Sequence, residues 1–447
     1  MINYRILQVA DSVGINPMQD YCEKHDLYRL SYENILQEFR DNGFIIPANW
    51  TVCMRKLGNE SIEAIPPYLE LQKHWCRENG VSFDESSENI ITDILSLQIK
   101  KLKPDVIFFY GGMIHSGISI DYVANLKSMF PFLKIVALYW GDYRWSSWYK
   151  SISSAIDVLF ASNDEYCEKS TAAGIEAYPI HSSFDHILYH QLNIKRVALE
   201  HDFVFAGATG YMGKLYLQRY ENLLYLLENT QLRCWATEPK LSPPNRQNRT
   251  KNTEANIRET LKTIIIGSMT NVNVDHLTKL HNFFRTKHKT TTISRLIEHV
   301  IDKTKNIQEY KPMIFPHNYK PLSELYPSRI YDGFITNYFE LLASARVIFN
   351  SHRDEPADYS NIRIFEATGV GSCLITDKPD KVKQYFVPDE EILTYASVEE
   401  CAEKVCYVLD NEKVRREIAN KGRLRTMKEY TIMHHCEKIH EGIEKMI

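Results

Sequence analysis

The residues best suited to chemistry lie in one stretch, Asn350-Ser351-His352-Arg353-Asp354-Glu355-Pro356-Ala357-Asp358-Tyr359-Ser360-Asn361-Ile362-Arg363-Ile364-Phe365-Glu366-Ala367-Thr368-Gly369-Val370-Gly371. An apolar strand ends at Asn350, a polar loop follows, and Ser360 or Asn361, both favoured N-cap types, opens a short helix. A helix start presents free N–H groups, and with His352, Asn361 and Arg363 nearby it suits a diphosphate. Glu366 follows one to two turns in, among Ile364, Phe365, Ala367 and Val370. A carboxylate in that company needs a partner, and sugar or ribose hydroxyls would be one. The plainer reading makes it a solvated helix residue. Gly369 and Gly371 allow a close backbone approach before the next strand.

A second stretch, Gly207-Ala208-Thr209-Gly210-Tyr211-Met212-Gly213-Lys214, joins a strand to a helix. Its glycines would let backbone N–H groups reach a phosphate, with Lys214 or Arg219 supplying charge. The spacing matches neither the P-loop nor the dinucleotide fingerprint, so a simple tight turn reads equally well. In the first half, Tyr110-Gly111-Gly112-Met113-Ile114-His115 and Trp140-Gly141-Asp142-Tyr143-Arg144 follow strands. His115 or Asp142 there would polarise a reacting hydroxyl, which requires hydrogen-bond reach. The aromatic run Tyr139, Trp140, Tyr143, Trp145, Trp148 and Tyr149 suits sugar stacking or interdomain packing alike. No D-x-D stands in a strand-terminal loop, His276, His281, His288 and His299 lack zinc spacing, and Gly-x-Ser-x-Gly is absent. No metal site is expected.

The elements that hold these loops alternate. Continuous apolar runs at 5–10, 105–110, 134–140, 158–161 and 177–180 predict strands buried on both faces, separated by helix-length stretches such as 89–102 and 120–129. After a polar bridge near 193–201 the rhythm restarts with strands at 203–210, 231–237, 345–350 and 373–377 and helices at 215–227 and 362–368. Two doubly wound parallel α/β domains are the economical parse. We place them at 1–195 and 196–425, with a helical insertion and connection at 240–325 and a C-terminal helix at 426–447 that packs back on the first domain.

Composition agrees with a globular chain of two or three domains: 447 residues, 44% hydrophobic, with a formal net charge of −4. Wholesale disorder and a charge-driven nucleic-acid binder are excluded. Residues 240–305 carry 13 Lys and Arg against 5 Asp and Glu, a local excess of +8 that leaves −12 on the rest. That segment reads as a solvated insertion, or as a contact for a membrane surface or anionic polymer. Nine scattered cysteines without a C-x-x-C pair point to reduced, mostly buried thiols. With no membrane-length apolar run and no signal-like N-terminus, a cytoplasmic location is expected.

The pattern Asn361-x-Arg363-x-Phe365-Glu366-Ala367-x-Gly369-x-Gly371, followed by Leu374-x-Thr376-Asp377, resembles the C-terminal domain of group 1 glycosyltransferases, in the branch that includes spore-maturation-type enzymes. Phe386, Asp389-Glu390-Glu391-Ile392, Tyr395-Ala396-Ser397-Val398-Glu399-Glu400, Arg415-Arg416-Glu417-Ile418-Ala419 and Gly422 extend the likeness over about residues 325 to 430. The resemblance implies a GT-B architecture, two Rossmann-like domains whose parallel sheets face a central cleft, with a nucleotide diphosphate sugar on the C-terminal domain and acceptor loops on the N-terminal one. In related family 4 enzymes the second carboxylate of an E-x7-E pair contacts the donor ribose, and Glu366 matches it. Asp358 stands where the pattern has the first glutamate. Alanine at 208 replaces a basic residue, so Lys214, helped by Arg219 or Arg363, would carry the diphosphate charge.

The resulting expectation is a cytoplasmic glycosyltransferase, free or membrane-associated, that moves a sugar to an acceptor hydroxyl of a glycan, lipid-linked or protein acceptor. It would use no cofactor and no metal. A sugar-nucleotide epimerase on the same plan and a noncatalytic sugar-nucleotide-binding module are the rival readings.

Overall fold

The structure, a computed structural model, describes residues 3–12, 15–110, 117–141, 154–162, 164–192, 194, 198–211, 216–238, 319–332, 338–352, 361–377 and 379–447. The chain runs through β1 (Arg5–Val9), β2 (Asp11–Ser12), β3 (Ile45–Ile46), β4 (Glu60–Ala64), β5 (Val106–Tyr110), β6 (Ile135–Trp140), β7 (Val158–Ala161) and β8 (Glu176–Pro179). Then follow β9 (His201–Ala208), β10 (Arg233–Thr237), β11 (Ile330–Asp332), β12 (Ala345–Asn350), β13 (Cys373–Thr376) and β14 (Leu393–Thr394). Six of the strands of 5–179 form one parallel sheet, ordered β4-β1-β5-β6-β7-β8, while β2 and β3 pair antiparallel by themselves, and the strands of 201–394 form a second six-stranded parallel sheet, ordered β11-β10-β9-β12-β13-β14.

Each sheet is covered on both faces, which is why its strands read as unbroken apolar runs. In the first, Leu7, Ile107, Val136 and Leu159 pack on one side, and Ile6, Phe108, Ala137 and Phe160 on the other. In the second, Phe205, Phe349 and Ile375 meet Leu223 and Val405, while Val204, Ile348 and Leu374 meet Phe339, Ile364 and Phe365.

Two segments cross between the sheets and pair with each other. Phe184 donates its N–H to the Tyr430 carbonyl at 2.8 Å, and Ile432 returns the bond to the Phe184 carbonyl at 2.9 Å. Asp185 accepts from the Asn49 and Leu188 N–H groups at 3.0 and 2.9 Å, anchoring the outgoing segment to the first domain. The returning segment continues as the Ile432–Glu444 helix, whose Ile432, Cys436, Ile439 and Ile443 pack with Phe160 of the first sheet and with Trp50 of the Trp50–Lys56 helix. Of the 240–325 insertion only 319–325 fall within the described residues. The basic segment 240–305 lies outside them, as do Met212 to Lys214. Eight of the nine cysteines are buried and all are unpaired. No helix of the described residues is long and apolar enough to cross a membrane.

His435 on the last helix is buried where it meets the first sheet. Its Nδ1 donates to the His181 carbonyl at 3.0 Å, and its ring meets the Tyr139 ring edge-on at 5.5 Å. Burial pulls its pKa down from 6.5 to about 4, with the Lys438 charge adding to the effect. Unfolded, this histidine protonates near its ordinary value, whereas folded it stays neutral to about pH 4. The unfolded state therefore binds the extra proton between those limits, and stability falls as pH drops from 6.5 to 4. Wild type is expected to lose about 3 kcal/mol from this group across that window. Denaturant unfolding at stepped pH, compared with His435→Phe, checks it: equal losses in both proteins would remove His435 as the cause.

Candidate functional site

The second sheet reverses its direction of growth between β9 and β12. In open parallel sheets the crevice beyond the carboxyl ends at such a point is where ligands bind. Gly207 and Ala208 close β9, Asn350 closes β12 and leads into Ser351 and His352, and Thr376 closes β13 just before Asp377.

Gly207 takes φ +147°, and a Cβ built on it would come within 2.5 Å of Arg363 Nη2. The bare backbone is what lets the guanidinium lie against the strand. Arg363 Nη1 donates to Asn350 Oδ1 at 3.3 Å, and its Cζ sits 5.3 Å from the centre of the Phe205 ring. Its Nε is buried with no hydrogen-bond partner. Among the described residues no carboxylate pairs with Arg363 within 4.0 Å. A cation at a ligand-binding crevice, with no carboxylate bonded to it among the described residues and with a donor left over, is prepared for an anion.

Asn361 caps the Ile362–Val370 helix: its Oδ1 accepts from the Arg363 N–H at 3.0 Å, and its Nδ2 donates to Asn350 Oδ1 at 3.1 Å. Ile364 donates its N–H to the Asn361 carbonyl at 3.1 Å. Two of the N–H groups that the sequence reading offers to a diphosphate are thus occupied within the protein, which shifts anion binding from the helix end to the guanidinium. Asn361 thereby fixes the angle at which the helix leaves β12.

Arg219 is buried, and its Nε and Nη2 donate to the Ser351 carbonyl at 3.1 and 2.5 Å while Nη1 donates to the Ala208 carbonyl at 3.3 Å. These bonds tie the end of β9 to the end of β12. Arg219 shapes the crevice, and Arg363 is the better-placed cation.

His352 donates its backbone N–H to both oxygens of Asp377, at 3.0 and 3.1 Å, and its Nδ1 lies 2.5 Å from Oδ1. A carboxylate accepts only, so Nδ1 carries the hydrogen and the ring is held in one orientation. Its Nε2 is buried and unpartnered. Asp377 enters the sequence motif without a role. The signal that would have found one is the placing of His352 and Asp377 just beyond the ends of two adjacent parallel strands.

Glu366, partly buried one turn beyond Arg363, accepts at Oε2 from the Tyr338 hydroxyl at 2.8 Å. Burial pushes its carboxyl pKa up, opposed by the Tyr338 bond and the Arg363 charge. Burial and the Glu366 charge together push the Tyr338 hydroxyl well above the usual tyrosine range. Tyr338 opens the Tyr338–Ser344 helix and stands in no motif, so sequence reading missed it.

The structure thus gathers Gly207, Arg219, His352, Asn361, Arg363 and Glu366 around one switch point. Gly369 and Gly371 lie at the far end of the helix, with Gly371 roughly 15 Å along its axis from Asn361. A Cβ on Gly369 would fall 2.4 Å from atoms of the Phe184 ring, and Gly371, at φ +94°, is the helix C-cap. Packing and capping account for both. His115, Asp142, Asp358 and Lys214 lie outside the described residues. Of the aromatic run, Tyr139 stacks on Tyr110 at 4.5 Å and Trp140 is buried in the first-domain core, so these two serve packing. Among the described residues no group of three or more His, Cys, Asp or Glu is placed to hold a metal ion.

Residues 318–441 match the family described as glycosyl transferase-like. No curated protein matches the sequence. The structure aligns with that of HepE from Anabaena in complex with UDP-glucose, at a TM-score of 0.50 and 9% identity, over 99% of this chain and 100% of that one. The chain has the GT-B fold. Two further alignments are with sucrose-phosphate synthase from Thermosynechococcus elongatus (TM-score 0.48, 11% identity, 90% of this chain and 92% of that one) and a glycosyltransferase from Rickettsia africae (TM-score 0.48, 11% identity, 100% and 99%). In GT-B terms the switch point described above belongs to the C-terminal domain, and the glycosyl transferase-like segment spans β12, the Ile362–Val370 helix and β13.

Proposed function

We propose that the protein is a glycosyltransferase, of the spore-maturation-type branch, that moves a hexosyl or related sugar from a nucleotide diphosphate sugar to an acceptor hydroxyl in cell-surface glycan or glycoconjugate synthesis. The observation that carries this reading is Arg363, a half-buried guanidinium with a donor left over and no carboxylate bonded to it among the described residues, at the switch point of a glycosyl transferase-like domain. Its charge would meet the diphosphate, and Glu366 would take hydroxyls of the nucleoside. His352, held by Asp377, would present Nε2 to the same ligand. Catalysis would come from positioning and from stabilising the departing diphosphate, with no metal or cofactor. Asp358, His115, Asp142 and Lys214 keep the roles read for them from sequence, and the acceptor would enter from the first domain.

HepE, whose structure holds UDP-glucose, makes uridine diphosphate the first probe. A thermal-shift screen with UDP, GDP and dTDP sugars, followed by assay of nucleotide release with glycan acceptors, tests the reading, because a ligand that binds only the native state raises its stability. A donor converted to another nucleotide sugar with no acceptor glycosylated would instead identify an epimerase. Arg363→Met should weaken binding of the nucleoside diphosphate by about thirtyfold, the effect of losing one strong charge-assisted contact. Isothermal titration calorimetry measures this, and unchanged affinity would take the diphosphate away from Arg363.

A further inference from the structure

Glu366 has two oxygens, and the structure assigns a partner to one of them: Oε2 is engaged by Tyr338. The carboxylate is acceptor-only, so what completes it must donate a hydrogen. Phosphate oxygens do not donate and are repelled by its charge. Hydroxyls do donate, and Glu366 stands three residues along the helix from Arg363, an axial step of roughly 4.5 Å, about the span from a phosphate to its ribose ring.

We infer that Tyr338 sets the preference for ribose over 2′-deoxyribose in the nucleotide, by holding the Glu366 carboxylate so that its other oxygen accepts from the ribose diol. Tyr338 is a positioning residue in this scheme. It touches no ligand, and its hydroxyl fixes the rotamer of the group that does. The inference rests on the nucleotide-sugar reading proposed above. Among the described residues the groups that face the carboxylate are the Tyr338 hydroxyl from the preceding helix and the Arg363 guanidinium from its own. Without the tyrosine hydroxyl, Oε2 is left with no donor, burial goes less opposed, and the carboxyl holds its proton to higher pH.

The test uses the full chain and calorimetric titration with UDP, GDP and their 2′-deoxy forms. These ligands carry no transferred sugar, so any hydroxyl effect belongs to the ribose. Wild type should bind the better of the two ribonucleotides about tenfold more tightly than its deoxy form, as one hydrogen bond to a charged acceptor warrants. Tyr338→Phe should bind the deoxy form with wild-type affinity and keep no more than about a threefold preference. Its ribonucleotide affinity should also fall off at higher pH than in wild type.

Tyr338→Phe that keeps the full tenfold preference overturns the inference, as does wild type that binds both forms alike. In either case diphosphate binding stands. If wild type binds neither UDP nor GDP, the nucleotide reading falls and this inference with it. Glu366→Gln serves as the second variant: it must also erase the preference, and retention of the preference there counts against the scheme whatever Tyr338→Phe does.

Discussion

Glu366→Gln is expected to lower the efficiency of sugar transfer by roughly thirty- to a hundredfold, while the protein remains as stable as wild type or becomes slightly more so. The two effects share one cause. A carboxylate that burial pushes toward its protonated form is an expense to the fold, tolerated because one tyrosine and one arginine partly offset it. Glutamine keeps the shape and still accepts from Tyr338 but carries no charge. Removing the buried charge should leave stability level or raise it by about 1 kcal/mol. The ligand loses hydrogen bonds to a charged acceptor, each worth about 1.5–3 kcal/mol.

The pH dependence follows. Ligand hydroxyls favour the ionised form, so donor binding by wild type should weaken as pH falls through the raised Glu366 pKa, and the variant should show no such limb. Steady-state kinetics beside denaturant unfolding measures both quantities. Activity and stability falling together would mean that the residue holds the fold and not the ligand.

Gly369→Ala is expected to do the opposite. Its Cβ would fall 2.4 Å from two atoms of the Phe184 ring, and that ring has nowhere to retreat. Phe184 is fully buried, and its backbone is held on both sides by the pairing with Tyr430 and Ile432. Overpacking of this kind costs about 1–3 kcal/mol, and here the top of that range is expected because the clash is with a ring and not a flexible chain end. Thermal unfolding should shift down by several degrees. Nucleoside diphosphate affinity should stay within about threefold of wild type, since Gly369 lies roughly 9 Å along the helix from Arg363. A variant with normal stability and lost affinity would return Gly369 to the ligand site, where its place in the glycine-containing motif puts it.

These two positions show how differently one helix can be read from its sequence. Asn361 and Glu366 declare themselves by type: an N-cap residue after a strand, and a carboxylate in apolar company. Gly369 has the look of a ligand-contacting glycine, yet the group that needs the space is a phenylalanine 185 positions earlier in the chain, and no local pattern points to it. The same distinction runs through the sheets. The strands buried on both faces were legible as apolar runs at 106–110, 135–140, 158–161 and 345–350. β4 was not, because its inward positions Ser61 and Glu63 are polar, with Glu63 buried against Arg40 at 2.5 Å. β11 and β14, at three and two residues, are too short to carry a period.

Features encoded in chain neighbours could thus be read directly: two alternating α/β halves, their main strands, and a cap and carboxylate on one short helix, since burial on both faces and helix capping act over a few residues. The partnerships came from folding. It set Arg363 against the bare backbone of Gly207, turned Arg219 inward to the carbonyls of Ser351 and Ala208, joined Tyr338 to Glu366 and Asp377 to His352, and gave Gly369 to the crossing segment. Each of these contacts is a hydrogen bond or a close packing made across sheet order, and sheet order is set by how whole strands bury their faces, not by the spacing of residues along the chain.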